Sequence, residues 1–236
     1  MSRAVIIGTG GGIGAALVET AAASGRYETV FALSRSPDRP GQPGVVPGVI
    51  DVSDPDSIAG AARDIGAPID LVIVATGLLH DAGGGPERSL KALDAERLSR
   101  SFAINTIGPA LVLQHFVPLL ARDRRAVIAC LSARVGSISD NRSGGWYGYR
   151  ASKAALNQIV RCAAIEMGRT HKHALCVALH PGTVATALSA PFRSSVPPGK
   201  LFTPAFSAER LLAVIDGLNM VDSGRIFAWD GAEIDP

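Results

Sequence analysis

Apolar positions along this chain come in two textures. The first is short, nearly unbroken runs rich in Val and Ile, at residues 3–8, 28–34, 45–50, 69–75, 125–132, 174–180 and 225–229. The second is longer Ala/Leu stretches with helical spacing, at residues 13–24, 54–65, 94–104, 109–121, 147–168 and 207–218. The short runs do not alternate apolar with polar, which is the mark of strands covered on both faces. Strand and helix take turns, and that alternation predicts right-handed crossovers and a parallel, doubly wound α/β sheet of about seven strands in one domain. Local signals sharpen the boundaries. Asp54 followed by Pro55 opens a helix, because Asp caps and Pro suits the first turn. Pro109 can open the helix 109–121, and Pro118 should distort or end its last turn. A Gly-rich loop, 81–86, follows the fourth strand. The Pro/Ser-rich stretch 181–206 has weak periodicity and is too long for an ordinary connection, so it is expected to be functional or mobile.

The turn after the first strand reads Ile7-Gly8-Thr9-Gly10-Gly11-Gly12-Ile13-Gly14. Glycine lets a backbone turn sharply and approach a ligand closely. Free N–H groups at the start of the next helix then face an anion, helped by the helix dipole. A pyrophosphate suits that geometry. Gly10-x-Gly12-x-x-Ala15 matches the dinucleotide fingerprint loosely, and Gly8-x-x-x-Gly12-x-Gly14 matches a variant spacing. No Gly-Lys-Ser/Thr follows, which argues against a P-loop nucleoside triphosphatase. The bland alternative is a tight strand–helix turn that holds nothing. The second strand ends at Ser34-Arg35, where an acidic residue would hold the ribose 2′-hydroxyl of NAD. Arg35 instead suits a 2′-phosphate, which favours NADP(H) over NAD(H). Asp51, followed by Val52, ends the third strand and is placed either to accept from an adenine amino group or to cap the next helix.

Tyr149 and Lys153 are four apart on a helix and share a face. An unperturbed phenol titrates near ~10, too high for efficient acid–base work at neutral pH. A nearby ammonium favours the phenolate and lowers that pKa. Such a pair can hand over a proton while a nicotinamide moves hydride. Tyr147 is no competitor, because four residues on stands Ala151.

The stretch Trp146-Tyr147-Gly148-Tyr149-Arg150-Ala151-Ser152-Lys153-Ala154-Ala155-Leu156-Asn157 resembles the short-chain dehydrogenase/reductase family. Gly136-Ser137-Ile138-Ser139-Asp140-Asn141 and Trp229-Asp230-Gly231-x-Glu233-Ile234 point to its branch of C-factor-like and Sniffer-like carbonyl reductases. The resemblance spans nearly the whole chain and implies a Rossmann-like fold. It implies Tyr149 as general acid/base, Lys153 on the nicotinamide ribose, and Asn105 anchoring a water on a proton relay. It implies further cofactor contacts from Gly8, Gly10, Gly11, Gly12, Ile13 and Gly14, from Ser34, Arg35, Asp51 and Val52, and from Ala75, Thr76 and Gly77. His180-Pro181-Gly182-Thr183-Val184-Ala185-Thr186 resembles the turn that meets the carboxamide, with Pro181, Gly182, Val184 and Thr186 at that end of the cofactor. The implied activity is NADP(H)-dependent reduction of a small-molecule carbonyl or oxidation of an alcohol. The implied assembly is a homodimer or homotetramer, paired through the Tyr–Lys helix and the one after it.

Three departures from the family pattern stand out. Val74-Ala75-Thr76-Gly77 replaces Asn-Asn-Ala-Gly, Ile7 replaces a threonine that Thr9 can stand in for, and the serine that orients the substrate carbonyl falls on Ala133. Ser132 precedes Ala133 and can serve only if the strand has already ended or bulges there, since successive strand residues face opposite ways. Ser137 and Ser139 are the other candidates. Loss of that hydroxyl leaves open a second class of function, a catalytically weak cofactor-binding sensor or signalling protein. A nucleotide-sugar epimerase is disfavoured by the length of 236 residues.

Composition adds exclusions. Hydrophobic residues are 47% and charged ones 19%, with a net charge of +2, so a large core is affordable and no bulk case for nucleic acid exists. No apolar run reaches the ~20 residues of a membrane span, and the N-terminus has no signal-peptide layout, so a cytoplasmic protein is expected. Cys130, Cys162 and Cys176 lack disulfide or metal spacing and read as reduced core thiols. No metal site is expected; His171 and His173 read as surface residues and His180 as a strand end. Residues 187–206 read as a substrate lid offering Leu188, Pro191, Phe192, Pro197, Pro198, Leu201 and Phe202 to a moderately apolar ligand, with Arg193 and Lys200 free to meet an anionic group or solvent.

Overall fold

Runs that are apolar on both sides can only sit inside a sheet covered twice. The computed structural model, which describes residues 2–37, 42–80 and 84–236, places them so. The strands are β1 (Arg3–Ile7), β2 (Thr29–Ser34), β3 (Val45–Val49), β4 (Leu71–Val74), β5 (Ala126–Leu131), β6 (Ala174–His180), β7 (Thr183–Val184), β8 (Leu201–Phe202) and β9 (Ile226–Ala228). Seven form one sheet in the order β3-β2-β1-β4-β5-β6-β9. Every neighbouring pair in it is parallel. The central β4 and β5 are buried along their whole length. At one edge β3 exposes Val46 and Val49 and carries Pro47, a residue that an edge tolerates because it cannot donate to a second neighbour.

Helices α1 (Gly12–Ala23), α2 (Pro55–Ile65), α3 (Ala95–Phe102), α4 (Gly108–Phe116), α5 (Tyr147–Thr170) and α6 (Pro204–Gly217) cover the two faces. Ile58, Val112, Phe116, Leu156 and Val160 of α2, α4 and α5 pack on one side, against Val5, Val72 and Ile128. Leu17, Val18, Leu211 and Ile215 of α1 and α6 pack on the other, against Ile6, Ile73 and Val177. The fold is therefore a Rossmann-like α/β sheet with helices on both faces. Its order reverses at β1, between β2 and β4, and such a switch point opens a crevice beyond the carboxyl ends of the strands.

Side-chain capping starts α2, α3 and α6. Asp54 Oδ1 accepts from Asp56 N–H at 3.0 Å at the start of α2. The same device starts α6 three residues before its expected position: Thr203 Oγ1 accepts from Phe206 N–H at 3.1 Å, with Pro204 in the first turn. Two helices expected at 94–104 and 109–121 are one helical run, Ala95–Leu119, joined by a π-turn at Ala103–Ile107. Those 25 residues are long and apolar enough to cross a membrane by length and composition. In the fold, Val112, Leu113 and Phe116 of this run are buried against the sheet. Pro118 lies in the tightened last turn, Val117–Leu119.

Within 181–206, β7 pairs with β8, and Ala190–Ser195 is a short 3₁₀ helix. Two expectations are corrected. His171 is buried at 5% exposure, because its N–H closes the end of α5 on Met167 O and its ring meets Thr170 Oγ1. Cys162 is exposed, unlike Cys130 and Cys176, since it points outward from α5. Of the Gly-rich loop 81–86, residues 81–83 lie outside the described residues.

Candidate active site

A cleft of about 400 Å³ opens at the carboxyl ends of β1, β2 and β4. Gly8, Gly10, Gly11, Ser34, Arg35, Asp51, Val52, Ala75, Thr76 and Gly77 line it, with Arg100 and Ile104 on the far wall. The glycines divide by what holds them. Gly8 has φ +95°, and a Cβ there would stand 3.0 Å from backbone atoms of Ala75 and Thr76. A Cβ on Gly14 would come 2.3 Å from Gly8 O, and one on Gly12 2.9 Å from Thr186 Cγ2. Gly10 is different. It lies outside the left-handed region, and the nearest atom to its added Cβ is Ser34 Cβ at 3.9 Å. Among the described residues nothing asks for glycine at position 10, yet its open side faces the cleft. Thr76 Oγ1 is buried without a hydrogen-bond partner at the same cleft. Ile13 is half-buried and packs against the core layer under α1.

At the far end of the cleft, Arg35 is exposed between Ser34 and Ser36. Asp51 does not cap α2, since Asp54 does. Its carboxylate accepts from Ser53 N–H at 2.9 Å and Ser53 Oγ at 2.6 Å, and these bonds, aided by Arg35, hold it below the usual carboxylate range. The cradle, the orphaned threonine hydroxyl and the guanidinium fit a dinucleotide that carries an extra phosphate.

Gly77 leads from the cleft to the polar cluster on α5. A Cβ on Gly77 would lie 3.9 Å from Lys153 Nζ and 3.7 Å from Asn105 Oδ1. Asn105 sits in the π-turn, a distortion that recurs at functional sites, and is wholly buried. Its Oδ1 accepts from Leu78 N–H at 2.7 Å, while Nδ2 donates to Leu78 O at 2.8 Å, Ser152 Oγ at 3.1 Å and Ser101 Oγ at 3.2 Å. Thr106 Oγ1 donates to Ser152 O at 2.7 Å, so the π-turn is stitched to α5 at the residue before Lys153.

Lys153 is 2% exposed and donates to Leu131 O at 2.7 Å. Burial pulls its pKa down to about 8. Its ammonium lies 6.0 Å from the centre of the Tyr149 ring. The expected depression of the phenol pKa is not found. Burial pushes Tyr149 up to about 12, because the phenolate loses more by leaving water than it gains at that separation.

Ser132 lies just past the end of β5 at Leu131, although its N–H still donates to Leu179 O at 2.8 Å. Its hydroxyl donates to Asn157 Oδ1 at 2.7 Å and is 3% exposed. Asn157 is eight residues beyond Tyr149, about 12 Å along the helix. The Ser132 hydroxyl is thus engaged by Asn157, two helical turns from Tyr149 along the backbone, and Ala133 has no hydroxyl to offer. Ser137 accepts from Asp140 N–H, and Ser139 donates to Pro236 O.

Pro181 and Gly182 close the other side. Ser207 Oγ donates to Pro181 O at 2.9 Å, and Phe202 lies against Gly182, within 2.6 Å of where a Cβ would stand. Val184 is buried, and Thr186 rests its methyl on Gly12. Arg193 is not free for an anion: it donates to Thr186 O at 2.6 Å and ties the 3₁₀ helix back on itself. Phe192 from that helix packs between Trp146, with ring centres 5.1 Å apart, and His80, at 6.0 Å. Trp146 in turn meets Tyr149 edge-on at 6.3 Å.

Two residues near Tyr149 had no site role assigned from the sequence. Glu87 is a 5% exposed carboxylate that accepts from Gly148 N–H at 3.0 Å. Trp146 is the one non-glycine residue with positive φ, 52°, among the described residues. The glycine pair before Trp146 was a readable hint of an unusual turn; Glu87 had none, since its partner is 61 positions away.

The arrangement, a dinucleotide-sized cradle leading to a buried lysine, a phenol and an asparagine, has counterparts in known proteins. The family model for short chain dehydrogenase matches residues 2–197. C-signal of Myxococcus xanthus is 34% identical over 168 residues, covering 71% of this chain and 92% of that protein. A 1-hydroxy-2-glutathionyl-2-methyl-3-butene dehydrogenase of a Rhodococcus species is 35% identical over 192 residues, covering 79% and 78%. Among solved structures, an NADPH-bound carbonyl reductase from chicken fatty liver superposes with a TM-score of 0.85 at 28% identity, covering 100% of this chain and 99% of that one. A match that takes in the glycine turn, the π-turn asparagine and the Tyr–Lys helix together leaves one assignment: the chain belongs to the short-chain dehydrogenase family of oxidoreductases.

Proposed function

We propose that this chain is an NADP(H)-dependent reductase of small carbonyl compounds, with Tyr149 as the proton donor, in one domain whose segment 187–206 serves as the substrate lid. The observation that carries the reading is the open side of Gly10, a glycine that no described residue sterically requires, facing a cleft that leads to Lys153. Gly8, Gly10, Gly11 and the start of α1 would hold the pyrophosphate, and Arg35 the 2′-phosphate. Ala75, Thr76 and Gly77 would border the adenosine, and Pro181, Gly182, Val184 and Thr186 the carboxamide. Bound NADPH supplies hydride to a carbonyl carbon. Tyr149, held as the neutral phenol by burial, gives its proton to the carbonyl oxygen. Lys153 keeps its ammonium beside the ribose and steadies the phenolate that remains. Asn105 keeps Leu78, the π-turn and α5 in register, so a proton path to Lys153 has fixed walls.

Tyr149→Phe is expected to abolish NADPH oxidation with a panel of aryl and alkyl ketones and aldehydes, while NADPH still quenches tryptophan fluorescence. Turnover retained in that variant contradicts the role. A second reading has its own support. Ser132 is bonded to Asn157 and Ala133 lacks a hydroxyl, so the carbonyl loses a donor that typically contributes about 2.7–4 kcal/mol. A cofactor-binding signalling protein with vestigial chemistry tolerates that loss. It binds NADPH, shows no turnover across the panel, and keeps its biological effect in Tyr149→Phe.

A further inference from the structure

Helix α5 carries both Tyr149 and Lys153, yet nothing local closes its first turn. Trp146 stands at the cap position and makes no side-chain capping bond. The first N–H groups of a helix have no partner within it, and an anion there gains from both the free donors and the dipole. Glu87 meets that need from the loop after β4. Its Oε2 accepts from Gly148 N–H at 3.0 Å, and its backbone oxygen accepts from Trp146 N–H at 2.5 Å. The contact is shaped for a carboxylate. A Cβ on Gly148 would stand 3.2 and 3.5 Å from the two Glu87 oxygens and 3.1 Å from Leu98 Cδ2. Gly144, Gly145 and Trp146 run at φ 62°, 64° and 52°, a left-handed turn that sets both N–H groups on this one residue. Glu87 and Tyr149 also line the same small cavity, about 30 Å³, with Ser101.

We propose that Glu87 is the positioning residue of Tyr149, a cap supplied from a distance that fixes the first turn of the helix and so the place of the phenol. The proposal rests on Tyr149 being the proton donor. Tyr149 follows Gly148 directly, so fraying of that turn displaces the phenol. Lys153 lies one turn on and is held by Leu131 O and the Ser152 contacts, none of which involves Glu87. Removing the cap therefore strikes proton transfer and spares the cofactor.

The test compares Glu87→Ala and Glu87→Gln in the full chain by steady-state kinetics, NADPH titration and deuterium exchange of the Gly148 amide. Glu87→Ala is expected to lose roughly tenfold or more in kcat, since small misplacements of a reacting group are costly. Its Kd for NADPH should stay within about twofold, the split that marks a lost transition-state contact. Glu87→Gln keeps an acceptor oxygen and should recover most of kcat, with Gly148 exchange as slow as in the parent. A parent-like kcat in Glu87→Ala, or a Gln variant no better than Ala, overturns the proposal. Should Glu87→Ala fail to fold, Gly148→Ala displaces the carboxylate with Glu87 still present; the same kcat loss supports the proposal and an unchanged kcat overturns it. A parent that binds NADPH without oxidising it overturns the reductase reading, whereas Gly148 exchange unaffected by Glu87→Ala overturns the cap itself.

Discussion

One methyl group at Gly10 and one at Gly14 should act in opposite directions. At Gly14 the new carbon would sit 2.3 Å from Gly8 O, 2.8 Å from Gly8 C and 3.1 Å from Thr9 Cα. These are backbone atoms of the turn itself, so no rotamer change relieves the overlap. The turn must open, and a loss above about 4 kcal/mol is expected, in the range reserved for severe core damage. At Gly10 the nearest atom is 3.9 Å away and φ lies outside the left-handed region. There the methyl only restricts the unfolded chain, worth about 0.4–1 kcal/mol of added stability, or a rise in Tm of about 1–4 °C for a chain of this size. The same methyl projects into the cleft and keeps a pyrophosphate off the backbone N–H groups. Loss of one or two such charge-assisted bonds is worth roughly 1.5–3 kcal/mol, or about 10- to 100-fold in Kd. Thermal unfolding and NADPH titration of both variants make the comparison. A Gly10→Ala chain that binds NADPH like its parent refutes the reasoning, because the glycine would then serve the turn alone.

The remaining predictions concern other walls of the cleft. Arg35→Ser should weaken NADPH binding by about 10- to 100-fold, the worth of a charge-assisted contact, with NADH binding unchanged; equal loss for both cofactors refutes the 2′-phosphate assignment. Asn105→Ala leaves Leu78 N–H and C=O without their bonds in a partly buried position and should cost about 3 kcal/mol in urea denaturation. A cost below about 1 kcal/mol would show that water replaces the amide there. Lys153 titrates at about 8 in the folded chain against 10.5 unfolded. Between those values the unfolded chain holds a proton that the folded one has released, so this group makes stability rise with pH. Tyr149, Cys130 and Cys176 are raised by burial and work the other way, from their ordinary values upward. Those three remain in Lys153→Met, so the stability difference between parent and variant should grow in the parent's favour by about 3 kcal/mol across the Lys153 window. A flat difference contradicts the buried ammonium.

What could be read from the chain follows the range of the forces involved. Both-sided apolarity of the strand runs, the Asp54-Pro55 start and the Gly8–Gly14 turn depend on backbone sterics over a few residues, and all three are found where the pattern put them. Thr203-Pro204 carried the same start signal as Asp54-Pro55 and went unread because the stretch before it lacked periodicity. Ser132 shows the limit more sharply. Its hydroxyl is claimed by Asn157 Oδ1 on α5, a partner 25 positions away.

Alone, the sequence determined the layering of this protein, the site of its anion-sized turn and the four-residue spacing of Tyr149 and Lys153, because periodicity and glycine sterics act locally. Tertiary structure decided the electrical state of that pair. Enclosure by the sheet and its helices drives the phenol up and the ammonium down, and a carbonyl of β5 takes the lysine proton contact. It also decided who holds the helix in place: Glu87, His80 and Phe192 come from segments with no motif, and only folding brings them to one point in space.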